Sequence, residues 1–172
     1  MKKVIFSLAI IVIIGITASL GLLDATFSYD DISEQDYRIS LKKATTIFKE
    51  EAHQEKVDAI QFIAKKDVKN QTNNTFEYLF IYQDQVVVID PTTGKTEINP
   101  VEKTEKSSYV TFDIDAVSSV KTPQAAMKEA LKQCGQKRAK AKDWQLLIKN
   151  SKLYYEVDLL DNERTQRLLV QA

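Results

Sequence analysis

Few side chains in this 172-residue chain have types that could do chemistry, and their spacing argues against it. A hydrolytic nucleophile needs a base within reach of a serine or cysteine, and a zinc site needs several nitrogen or sulfur ligands. The chain holds one histidine, His53, and one cysteine, Cys134. His53 falls at the end of a helical pattern, where an imidazole meets the carbonyl end of a helix and reads as solvated. Cys134 lies on the apolar side of a second helical pattern and reads as a small core residue; with no second cysteine, an intramolecular disulfide is impossible. The paired carboxylates Glu50-Glu51 fall on a solvent face. Only four glycines occur, two of them inside an apolar N-terminal stretch, so no glycine-rich phosphate cradle exists. The residues therefore point to a protein that is not an enzyme, with no catalytic residue, no cofactor and no metal.

One oxygen-rich segment needs a separate test. Asp90-Pro91-Thr92-Thr93-Gly94 could pass for a cation loop, but one carboxylate with threonines falls short of the six to eight oxygens calcium takes. As a turn it is well spelled. Asp90 can accept from backbone N–H groups ahead of it, Pro91 presets φ, and Gly94 can adopt positive φ without strain. Asp90, Pro91, Thr93 and Gly94 are thus expected to be structural.

The elements that must position these residues begin with Lys2-Lys3 and then Val4 to Leu23, twenty residues without a charge. About 20 apolar residues suffice to span a bilayer core. Residues 1–24 read as a transmembrane signal-anchor with the N-terminus inside, because the two lysines precede it. The alternative is a signal peptide cleaved near Thr17-Ala18-Ser19, giving a secreted form. Either way the bulk of the chain lies outside the membrane. Equal numbers of basic and acidic residues, 24 of each, give no electrostatic case for nucleic acid. Residues 25–38 are acidic and read as a short stalk.

Beyond the stalk one pattern is written twice. The first copy, residues 39–98, opens with a helix capped by Ser40, with Leu41, Ala44, Ile47, Phe48 and Ala52 on one stripe. Alternating strands follow from Val57, from Phe76 to Tyr82 and from Val86 to Ile89. The second copy, residues 121–172, has Thr122 as cap, Pro123 at the first helical position and Gly135 as stop. Strands follow from Ala141 to Leu146, from Leu153 to Leu159 and from Gln166 to Val170, and no counterpart of the Asp90 turn exists. Between the copies, residues 99–120 read as a linker with an added strand at Tyr109 to Ile114. The expected fold class is α+β: an N-terminal transmembrane helix, then two small units, each one helix packed on an antiparallel sheet.

Ser40-Leu41-Lys42-Lys43-Ala44 at the helix start, and Val86-Val87-Val88-Ile89-Asp90-Pro91-Thr92-Thr93-Gly94-Lys95 at the close, resemble the PepSY domain family. A typical unit there opens with a serine or threonine, an apolar residue and an alanine. It closes with a strand, an aspartate, two variable residues and Thr-Gly; Asp90, Thr93 and Gly94 match, and Glu97-Ile98 follows one step late. The resemblance implies exported or membrane-anchored bacterial proteins, some of which modulate peptidases near the cell surface. No catalytic or ligand residues travel with it.

The resulting expectation is a non-catalytic extracytoplasmic binding module in the cell envelope. Its expected partner is an envelope peptidase, inhibited or modulated, or another envelope protein, met at a sheet edge near Tyr109 to Ile114 or Leu168 to Val170. The alternative is a structural or sensory ectodomain binding an envelope lipid, glycan or protein, with Phe76, Tyr78, Phe80, Tyr82, Tyr154 and Tyr155 lining a groove where the ligand is a lipid or glycan.

Overall fold

The structure, a computed structural model, describes residues 31–65, 75–101, 109–162 and 164–172. The apolar segment Val4–Leu23, the loop Asp67–Asn74 and most of the 99–108 linker lie outside the described residues. In chain order the elements are α1 (Leu41–Ala52), β1 (Lys56–Val57), β2 (Ala59–Ala64), β3 (Phe76–Tyr82), β4 (Gln85–Ile89) and β5 (Thr96–Pro100). Then come β6 (Phe112–Asp113), α2 (Pro123–Cys134), β7 (Lys140–Lys149), β8 (Lys152–Asp161) and β9 (Arg164–Gln171).

The expectation of two units with separate sheets is corrected. Among the described residues, one antiparallel sheet of seven strands runs β5-β4-β3-β2-β7-β8-β9, and only β1 and β6 pair outside it. The reason lies in β2. Five of its six residues are buried, on both faces, so as the edge of a separate unit it would expose apolar side chains and unpaired backbone groups. Pairing β2 with β7 removes both costs. Phe62 then lies opposite Trp144, with the rings stacked at 5.7 Å. The expected transmembrane helix is likewise no part of the described fold: among the described residues no helix is long and apolar enough to cross a membrane.

Both helices lie on one face of the sheet, and the repeat governs how they are held. Ser40 Oγ accepts from the Lys43 N–H at 3.3 Å, and Thr122 Oγ1 accepts from the Ala125 N–H at 3.3 Å. His53 and Gly135 close the helices in the left-handed conformation, at φ 53° and 69°. Buried Tyr78 donates to the Ile39 carbonyl (3.0 Å) and buried Tyr155 to the Lys121 carbonyl (2.9 Å), pinning the residue before each cap. Burial pushes both phenols up. Phe48 on α1 stacks on Phe80 at 4.9 Å, and Ala126, Met127 and Ala130 bury α2.

The repeat starts earlier than the helices. A 3-10 turn at Ile32–Glu34 is capped by Asp31, and a second at Ile114–Ser119 is capped by Asp113; Ile32 and Ile114 are both buried. These turns cross over: Ile32–Glu34 lies against α2 and β7, and Ile114–Ser119 lies against α1. Ile32 and Tyr37, within the segment read as a stalk, therefore pack into the core. The added strand expected at Tyr109 to Ile114 reduces to β6, paired with β1, because Asp113 caps the turn that begins at Ile114.

Candidate interaction surface

The two edges of the sheet are unequal. β5 has five residues and ends in Pro100, which has no N–H to offer a further strand. β9 is eight residues long, carries no proline, and exposes Leu169 at 45% of its accessible area. Its inner side is fully registered on β8 from Asp161↔Arg164 to Tyr154↔Gln171, and among the described residues no strand pairs with its outer side. Of the two edges expected from sequence, the Leu168 to Val170 segment lies on this outer strand. The Tyr109 to Ile114 segment does not border the main sheet.

Behind β9, the sheet face opposite the helices carries a buried polar cluster drawn from four strands. Gln61 on β2 donates to Gln145 on β7 at 3.0 Å, and Gln145 donates to Glu156 on β8. Lys149 closes on Glu156 from the same face. One row along, Asp143 on β7 lies directly opposite Asp158 on β8, and Arg167 on β9 grips Asp158 through two bonds of 2.7 Å. Arg167 also comes within 3.8 Å of Glu156, and Lys142 within 4.0 Å of Asp143. Tyr109 caps the centre, its hydroxyl 3.5 Å from Gln145.

The electrostatics follow from burial. Asp143 is pushed up to about 7, first by loss of water and then by the facing charge of Asp158. Arg167 is raised by its bonds to Asp158. Burial, with the nearby charge of Glu156, pushes Tyr109 up to about 12. The arrangement holds β9 in place through charge on one face while its outer rim stays open. It offers no nucleophile–base pair, and among the described residues no group of three or more His, Cys, Asp or Glu side chains could hold a metal.

The residues singled out from sequence sit apart from this surface. Asp90 Oδ1 accepts from the Thr92 and Thr93 N–H groups at 2.8 Å each, which holds its carboxyl below the usual range. Gly94 has φ 77° and its N–H donates to the Asp90 carbonyl at 2.9 Å. The buried Pro91 accepts from the Ile39 N–H at 2.8 Å, tying the turn to the start of α1. Cys134 is half-buried, with Sγ 3.4 Å from Gln166 Oε1. Phe76, Tyr78, Phe80, Tyr82 and Tyr155 are buried, and only Tyr154 of the six proposed groove aromatics is partly exposed.

Asp143, Glu156, Asp158 and Arg167 were missed. A signal existed: Glu156 and Asp158 alternate with Tyr155, Val157 and Leu159, so two carboxylates share one strand face, as do Asp143 and Gln145 on β7. Only the register shows that these faces coincide.

No protein-family model and no curated protein matches the chain. A solved crystal structure of a "putative lipoprotein" from Clostridium difficile 630 shares the fold, with a TM-score of 0.57 and 17% identity over 83% of this chain and 91% of that one.

Proposed function

We propose that this protein is a non-catalytic, extracytoplasmic binding module, attached to the bacterial envelope from its N-terminal side, that takes an extended segment of an envelope protein along the outer rim of β9. The observation that carries the reading is the length and openness of β9 beside a blunted β5. Main-chain hydrogen bonds to such a rim supply affinity, and alternate side chains of the added strand supply specificity. Leu169 gives that strand an apolar contact, and Arg167, held on Asp158, keeps its charge off the rim. A surface peptidase fits as partner, because its cleft already binds extended chains.

Envelope attachment has two supports: the apolar stretch Val4–Leu23 and the lipoprotein designation of the structural neighbour. The test is site-specific photocrosslinking in intact cells, with the photoreactive residue at Leu169 on one edge or Ile98 on the other. The expected result is a discrete adduct with one envelope protein from Leu169, absent from Ile98, and reduced about tenfold by Gln171→Pro, which removes a rim N–H or disturbs the strand end. Equal adducts from both edges, or adducts from Ile98 alone, would overturn the reading.

A further inference from the structure

From Lys132 to Lys142, both included, the chain holds five basic residues and no acidic one, although the whole chain is neutral. The fold gathers them at one end of the sheet. Lys132 is in the last turn of α2, Lys137 and Arg138 are in the loop that follows, and Lys140 opens β7. Arg164 opens β9 at the same end, since Lys140 is in register with Leu160 and Leu160 with Thr165. Lys132, Lys137, Arg138 and Arg164 are all exposed.

The second observation is where the chain enters the domain. Asp31 Oδ1 accepts from the Ala141 N–H at 3.2 Å, so residue 31 is fixed beside the start of β7, next to the basic loop. Only residues 24–30 separate that point from the apolar stretch ending at Leu23. Seven residues span at most about 25 Å fully extended. Two acids at this end are engaged elsewhere: Asp31 accepts two backbone N–H groups, and Glu34 pairs with Lys128 at 3.2 Å.

We infer that this basic end, Lys132, Lys137, Arg138 and Arg164, docks on an anionic phospholipid surface, so that the sheet stands on the membrane with β9 at its flank. The inference rests on membrane attachment at the N-terminal side, and it is independent of whether β9 binds a protein. Positive side chains near such a surface are each drawn to it, and the attraction vanishes over a Debye length or in high salt.

Cys134, the sole cysteine, lies between Lys132 and Lys137 and reports on this end. The full chain is placed in lipid nanodiscs of phosphatidylglycerol or of phosphatidylcholine, and its labelling by an uncharged polyethylene-glycol maleimide is timed. Labelling is expected to be at least about fivefold slower on phosphatidylglycerol, with the difference erased in about 1 M salt. K137E/R138E should label at one rate on both lipids, while K137R/R138K should behave as the parent. Circular dichroism checks that the variants are folded. Equal parent rates on the two lipids, or slowing that persists in K137E/R138E, would overturn the inference. Failure of the full chain to enter either disc overturns it together with membrane attachment, and leaves the β9 crosslinking result standing.

Discussion

The first half of the molecule (Asp31 to Pro100) and the second (Asp113 to Gln171) follow one local plan at a spacing of 82 residues. Asp31 and Asp113 cap 3-10 turns, Ser40 and Thr122 cap helices, and His53 and Gly135 end them. Leu41, Ala44, Thr45 and Phe48 bury α1 where Pro123, Ala126, Met127 and Ala130 bury α2. The halves part company at their outer edges. The first passes through the Asp90 turn into a fourth strand of the main sheet, β5, short and ending in proline, whereas the outer strand of the second is β9, long and without proline. What differs is therefore the edge each presents, while the joint between them is shared. The crossed 3-10 turns and the β2–β7 pairing make each half part of the other's core, which is why one such unit is a poor description of either.

The largest test strikes that joint. Phe62 and Trp144 are in register across it, both buried, and Phe62 also touches Tyr37, Phe76 and Tyr78. Phe62→Ala should cost about 3–5 kcal/mol, as removal of a buried aromatic ring does. Urea unfolding followed by circular dichroism and by the fluorescence of Trp144, the sole tryptophan, should give one coincident transition. Two separated transitions would mean that the halves are independent after all.

A smaller effect distinguishes the second half by its buried acid pair. The Asp143 carboxyl is near 4 in the unfolded chain and about 7 when folded. Between these values the folded state keeps a proton that the unfolded state has released. Stability contributed by this group is thus complete below about pH 4 and is lost as the pH rises towards 7. Asp143→Asn should remove that slope and leave the protein more stable than the parent at pH 8, by an amount on the order of 1–3 kcal/mol. Denaturation at pH 5 and pH 8 measures it; an unchanged difference between the two pH values would show that Asp143 is ionised throughout.

How much of this was legible in the sequence depends on the range of the interaction responsible. Caps, helix stripes and the Asp90 turn are set by neighbours a few residues away, and Ser40, Thr122, Pro123 and Gly94 spell them out. Pairing between β2 and β7 joins residues more than 80 positions apart, and Ile60-Gln61-Phe62 carries no local mark of its partner. The acid pair was hidden for the same reason, since Asp143 and Asp158 are unremarkable until a register sets them face to face. The crossed turns were hidden differently. Asp31-Ile32 and Asp113-Ile114 repeat the same dipeptide, but the first sits among polar residues with no period, and the second ends an alternating run that reads as a strand. Sheet closure by residues from the other half is what buries both isoleucines.

The smallest predicted effect compares two glycines. Gly94 and Gly135 both have positive φ, 77° and 69°, where a side chain is strained by about 1 kcal/mol. Around Gly135 no atom would meet an added Cβ within 4 Å, and the equivalent position in the first half is held by His53, a residue with a full side chain. A Cβ at Gly94 would touch Ile39 and Ile47 at 3.5 Å, an ordinary contact, inside a turn fixed by the N–H groups that Asp90 accepts and by the Ile39 N–H donated to Pro91. Space therefore does not separate the two sites; freedom to relax does. Gly135→Ala should cost about 1 kcal/mol, and Gly94→Ala about 2 kcal/mol, because the tied turn cannot rotate away from the strained φ. Equal losses in urea unfolding would show that the turn before β5 yields as readily as a helix end, and that the extra strand of the first half is less firmly held than β9.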